Sequence, residues 1–216
     1  MGIYIEALIL YVVLFFSRST GLFVSGGTQG FPITAELVRI FAYTIPSLAL
    51  IWYLLLKARS LSSWGIRPGK KDILSGLITL PSLLITGFII AFISSNTGGT
   101  SAQALLYVPA TVPEWMVLCF SCVSAAYLEE SFFRFYLLVR REELKLGAAS
   151  ALVFSVALFS ICHIYEGPWG FLNSVLSGTF LSLVFLCYKS LHGIAIAHGL
   201  YNIAVYVLNA ALALKT

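Results

Sequence analysis

Apolar runs of about 20 residues, broken by short clusters of charge, repeat along the whole chain. Coiled as helices, runs of that length match the ~30 Å hydrocarbon core of a bilayer. Seven can be read. The first covers 3–24, with Arg18 near an interface, and a loop with Gly26, Gly27 and Gly30 follows it. The second covers 35–56 and carries Pro46, placed to kink it; the third, 73–95, contains Pro81. The fourth runs from Pro113 to Arg141 and the fifth over 148–165. A turn marked by Pro168 and Gly170 leads to the sixth, 171–188, and the seventh covers 193–214. A helix satisfies its own backbone hydrogen bonds, which lipid cannot do for it. The pattern therefore predicts an all-α, polytopic transmembrane bundle of about seven spans.

Composition agrees. Hydrophobic residues make up 59% of the 216, against roughly 45–50% in soluble domains. Mean hydropathy is +0.94. No repeat, low-complexity stretch or soluble segment interrupts the runs, so the chain reads as a single integral membrane domain, 1–216. The net charge of +4 belongs to loops and implies no nucleic-acid partner. The loop after the second run holds Lys57, Arg59, Arg67, Lys70 and Lys71. Arg140, Arg141 and Lys145 follow the fourth run, and Lys189 follows the sixth. With seven spans these loops share one side, which the positive-inside rule makes cytoplasmic, together with the N-terminus. The expected location is the plasma membrane of a prokaryote. The segment Met1–Tyr11 lacks a basic start and carries Glu6, so it reads as a retained span rather than a secretory signal. Cys119, Cys122, Cys162 and Cys187 all fall in apolar runs. Even the CxxC pair is expected to behave as small buried hydrophobes.

Against this background a few polar residues stand out. Glu129, Glu130 and Arg134 lie inside the fourth run, where an ionisable group costs about 2.5–3.5 kcal/mol on insertion scales. Glu130 and Arg134 are four residues apart, on one helix face, and can form an ion pair. Glu129 is turned about 100° away, towards the fifth and seventh spans. His163 lies in the fifth span; His198 and Asn202, again four apart, share a face of the seventh. Counted from Arg140, Glu129 is about 16 Å deep, and His198 and Asn202 fall at comparable depth. His163 is the outlier, about 24 Å from Gly147 in a straight helix. Pairing the fourth and fifth spans about residues 145–146 sets Glu129 opposite residue 162, which brings His163 back to the same level. A His and an Asn on one face can donate to one oxygen, as an oxyanion hole requires. His192, beside Lys189, reads as interfacial.

The run Glu129-Glu130-Ser131-Phe132-Phe133-Arg134 resembles the EExxxR motif of the CPBP family, the CAAX proteases and bacteriocin-processing (Abi) proteins. Phe159-Ser160-Ile161-Cys162-His163 is similar to its FxxxH motif, and His198-Gly199-Leu200-Tyr201-Asn202 to its HxxxN motif. The resemblance covers roughly 113–214. It departs at Phe135, where many members have glycine, and at Ser131, where an apolar residue is commoner. It implies an intramembrane glutamate protease, with Glu129 as the base activating water, aided by His163. His198 and Asn202 would stabilise the oxyanion, with Glu130 and Arg134 in support. On this reading 113–216 is a catalytic core of four spans and 1–112 an accessory part of three. The partners are a membrane-associated protein or peptide and the bilayer, with no cofactor and no metal. Two other readings use the same residues. Glu129, His163 and His198 could form a zinc site of the His₂Glu type, although HExxH is absent. Buried Glu and His also suit a non-catalytic scaffold, immunity or transport protein.

Overall fold

The computed structural model describes residues 3–16, 30–58, 68–97 and 107–213. The expectations for Arg18, Gly26, Gly27, Arg59 and Arg67 lie outside these residues. Within them the chain is helical, with no strand. The helices are α1 (Ile3–Phe16), α2 (Ile33–Lys57), α3 (Lys70–Asn96), α4 (Val112–Val139), α5 (Ala148–Ile161), α6 (Gly167–Tyr188) and α7 (Leu191–Ala213). Five stretches are long and apolar enough to cross a membrane: α2, α3, α4, α7, and α6 with the turn before it. Helices α1 and α5 are apolar but shorter. The chain is an integral membrane protein.

The ends of the helices follow from particular residues. Helix α4 starts where Glu114 turns back to accept the backbone N–H groups of Ala110 and Thr111, at 2.7 and 3.0 Å. Asp72 does the same for Gly69 at the start of α3, at 2.7 Å. Lys70, Lys71 and Asp72, read from sequence as loop, therefore form the first turn of α3. Ser190 caps α7 by accepting from Gly193 N–H at 3.1 Å, so His192 lies inside the helix rather than before it. Its Nδ1 is 3.2 Å from the Tyr127 hydroxyl.

Three expectations need correction. Helix α5 ends at Ile161, not near residue 165, and His163 lies in the turn beyond it. Pro168 and Gly170 do not mark a turn. They sit in the first turn of α6, where proline's missing N–H costs nothing. The turn is the 3₁₀ segment Ile164–Glu166, and Gly167 leaves it at φ +79°. Lastly, α4 is not α-helical throughout: Ser131–Val139 is wound as a π-helix. Helix α2 is likewise π-wound over Arg39–Thr44, directly before Pro46. Proline cannot donate to the carbonyl four residues back, and the wider winding takes up that mismatch.

Helix α4 occupies the middle. It packs on α7 along one side, and on α5, α2 and α6 along its π-wound half. Helix α7 also packs along α3, and α6 lies between α3 and α5. Aromatic rings fill the core: Phe132, Phe133, Phe135 and Tyr136 of α4 meet Phe15, Phe159 and Phe185. Polar contacts pin the outer helices to this axis. Glu6 of α1 accepts from the Tyr136 hydroxyl and from Arg140 at 3.1 Å. In α2, Arg39 pairs with Glu36, and both reach Ser121 of α4, at 2.5 and 2.7 Å. Ser75 and Asp72 of α3 both bond Ser190 at the head of α7. There α3 and α7 come so close that a Cβ on Gly193 would stand 2.0 Å from Ser75 Oγ and 2.3 Å from the Asp72 carbonyl oxygen.

Candidate active site

Glu130 and Arg134 are completely buried, and Arg134 Nη1 is 3.2 Å from Glu130 Oε1. The other guanidinium nitrogen, Nη2, donates to the Gly178 carbonyl of α6 at 3.1 Å. The face of the guanidinium lies over Phe159, 4.3 Å from the ring centroid. Such a stack helps a cation that has lost its water. One arginine thus ties α4, α5 and α6 together. Helix α7 joins through His198, whose Nδ1 is 2.8 Å from the same Glu130 oxygen. A carboxylate can only accept, so His198 donates from Nδ1. Its Nε2 then faces Glu129, 3.9 Å from Oε2. The imidazole sits between the two carboxylates, and Glu130 holds its orientation as well as neutralising Arg134. Glu130 Oε2 and Arg134 Nε have no hydrogen-bond partner among the described residues.

His163 is half-buried just past the end of α5. Its Nδ1 donates to the Phe159 carbonyl at 2.8 Å, which leaves Nε2 as the lone-pair nitrogen of the neutral ring. Glu129 and His163 line one small cavity of about 10 Å³ with Phe15, Phe133, Cys162 and Tyr165. The depth discrepancy noted from sequence disappears because α5 is short and its end meets α4 at the site. Ser155 bonds the Phe133 carbonyl at 2.6 Å, and this contact sets the pairing of the two helices. Asn202 is one turn beyond His198 on α7 and half-buried. It does not line the cavity that holds Glu129 and His163. Tyr201, its neighbour, accepts a hydrogen bond from Asn173 of α6 at 3.2 Å.

Several participants carried no signal at the sequence level. Phe159 had been only the first letter of a motif; here it touches Arg134, His163 and His198, with ring centroids 4.6 and 6.1 Å from the two imidazoles. Phe15 comes from α1, far from any motif. The two departures from the family pattern share one neighbour. Trp52 of α2 donates to Ser131 Oγ at 3.2 Å and stacks on Phe135 at 5.5 Å. Ser131 and Phe135, four residues apart, form a seat for that indole.

No disulfide joins the four cysteines. Cys122 and Cys162 are buried, Cys119 is half-buried and Cys187 is on the outer surface of the bundle. Among the described residues, no group of three or more His, Cys, Asp or Glu side chains has the arrangement of a metal site.

Residues 111–204 match the model of the type II CAAX prenyl endopeptidase Rce1-like family. The matched segment contains all three motifs, from Glu129 to Asn202, and bears out the resemblance read from them. No curated protein and no solved structure matches the chain.

Proposed function

We infer that this Rce1-like chain is an intramembrane endopeptidase that cuts a membrane-associated protein or peptide with a water activated by Glu129. The family match implies a protease of the CAAX type. The observation that carries the mechanism is the sharing of one cavity by Glu129 and His163, with His198, held by Glu130, 3.9 Å from Glu129. A water between Glu129 and His163 gives a proton to the Glu129 carboxylate and a hydrogen bond to His163 Nε2. Its oxygen bonds the peptide carbonyl carbon, and the carbonyl π electrons move onto oxygen. As the imidazolium, with Nδ1 on Glu130 and the second proton on Nε2, His198 donates to that oxyanion together with Asn202. Asn202 completes the hole only with substrate in place. Glu129 then passes its proton to the amide nitrogen as the C–N bond breaks, releasing an amine and a carboxylic acid. Glu130 and Arg134 act through His198 and touch no substrate. The basic residues Lys71, Arg140 and Lys189 gather at one end of the bundle. They support a cytoplasmic placement of that end and of the N-terminus, in the plasma membrane of a prokaryote.

The test is cleavage of a farnesylated peptide ending in a CAAX sequence by the purified chain. It is paired with a comparison of membrane proteins from cells with and without the gene. Wild type should release the C-terminal fragment. Glu129→Gln, which keeps the shape but cannot take a proton, should release none at unchanged protein level. Asn202→Ala should fold normally and cut roughly 10²–10³-fold more slowly. Normal cleavage by Glu129→Gln would show that the base is another residue. No cut of the peptide and no uncut protein in the deletion cells would end the protease reading.

A further inference from the structure

The matched segment begins at residue 111, yet one wall of the cavity comes from α1. Phe15 is 1% exposed and rests on Phe132 and Phe133, with ring centroids 4.9 and 4.8 Å away. One turn earlier, Tyr11 is buried with its hydroxyl at the last turn of α5. That hydroxyl donates to the Leu158 carbonyl at 3.1 Å and accepts from Cys162 Sγ at 3.5 Å. Leu158 is also the acceptor for the Cys162 backbone N–H, at 3.4 Å. Tyr11 thus adds a hydrogen bond from another helix to a carbonyl of the last turn, just before the chain leaves the helix to become His163. We propose that Tyr11 is a positioning residue for His163, so that α1 belongs to the catalytic unit rather than to an accessory part.

The physical case rests on how little else fixes His163. Its ring has a hydrogen bond to the Phe159 carbonyl of the same last turn and contacts with the rings of Phe159 and Tyr165. All of these move with the end of α5 and the turn after it. The position of His163 relative to Glu129, which is on α4, depends on where that end is held. Ser155 ties α5 to α4 two turns lower, and Tyr11 ties its tip to α1. Helix α1 is in turn fixed to α4 by Glu6 with Tyr136 and Arg140, and by Phe15 against Phe132. Phe159 packs on Phe133 and Arg134 of α4, and Tyr11 adds a second hold on the tip of α5, through α1. Removing the hydroxyl leaves the ring packed and frees the tip of α5 to shift.

This inference rests on the glutamate-protease reading, and the experiment separates the two. Tyr11→Phe, Tyr43→Phe and Glu129→Gln are compared in the full chain in bilayers, with the farnesylated peptide as probe. Tyr43 serves as control because its hydroxyl bonds the Leu14 carbonyl of α1 rather than a carbonyl of α5. Tyr11→Phe should lower kcat roughly 10–100-fold with KM and melting temperature nearly unchanged, as a misplacement near 1 Å does. The pH profile of kcat should shift, and diethylpyrocarbonate should modify His163 faster. Tyr43→Phe should change none of these. Unaltered kcat and unaltered His163 modification in Tyr11→Phe, with Glu129→Gln inactive, would overturn the positioning role alone. A matched fall in stability for both tyrosine variants would reduce Tyr11 to packing. An active Glu129→Gln would overturn the underlying reading instead.

Discussion

Helices α3 and α4 are nearly equal in length, 27 and 28 residues, and both are apolar enough to cross a bilayer. Their positions are opposite. In its most apolar stretch α3 has mean hydropathy 2.2 and is 17% buried in the protein; the corresponding figures for α4 are 1.3 and 61%. The less apolar helix is the one in the middle. In water the order would be reversed. In lipid the surroundings are as apolar as any core, so greasy residues gain little by turning inward. Polar groups gain a great deal, because only the protein can pair them. Glu129, Glu130, Arg134 and Ser131 are therefore buried, while Ile73, Leu77, Ile85 and Phe88 of α3 face outwards.

The sharpest break of this contrast is at Arg134. Replacing it with leucine raises hydropathy yet leaves Glu130 buried without its cation. The expected loss is about 3–5 kcal/mol of stability, measured by unfolding in detergent. Replacing Glu130 and Arg134 together by apolar residues should recover only part of it. His198 Nδ1 would then lack its partner, while the Gly178 carbonyl keeps the Ser182 hydroxyl. A double variant as stable as wild type would show that the ion pair is dispensable to the fold.

A smaller effect is expected where α3 touches α7. Gly193→Ala places a Cβ against the Asp72 backbone carbonyl, which cannot swing aside as a side chain would. Overpacking of this kind costs about 1–3 kcal/mol and should push α7, and with it His198, away from Glu130. Melting temperature and turnover should fall together; loss of neither would mean that the α3–α7 contact is looser than its geometry. Least of all should happen on the outer face of α3. Leu77→Ile, at a residue 67% exposed to the surroundings of the bundle, should stay within about 0.5 kcal/mol of wild type. A larger change would place another helix or molecule against that face.

The number and order of the helices were legible because hydropathy and loop charge record the bilayer directly. Helix ends were less so. The apolar run of α5 continues past Ile161, and only the polar pair His163 and Glu166 hints that the helix has stopped. The π-winding of Ser131–Val139 left no mark that spacing could show, since a residue four places on still meets its partner, as Glu130 meets Arg134. Within the site, residues at helical spacing or in motifs could be picked out. The second bond of Glu130, to His198, could not, because it joins residues 68 apart. Nor could Phe15, which reaches the cavity, and Tyr11, which reaches the end of α5, since both do so only through tertiary packing.

The early end of α5 has a consequence for the membrane itself. Fourteen residues extend about 21 Å, against a hydrocarbon layer of about 30 Å. Beyond Ile161 the chain becomes a turn carrying His163 and Glu166, whose backbone and side chains seek water. Lipid beside this turn has to compress or give way, at a fraction of a kcal/mol per ångström of mismatch. The expected outcome is that turnover falls as the bilayer thickens and acyl chains crowd this turn, which reconstitution in lipids of graded acyl length measures.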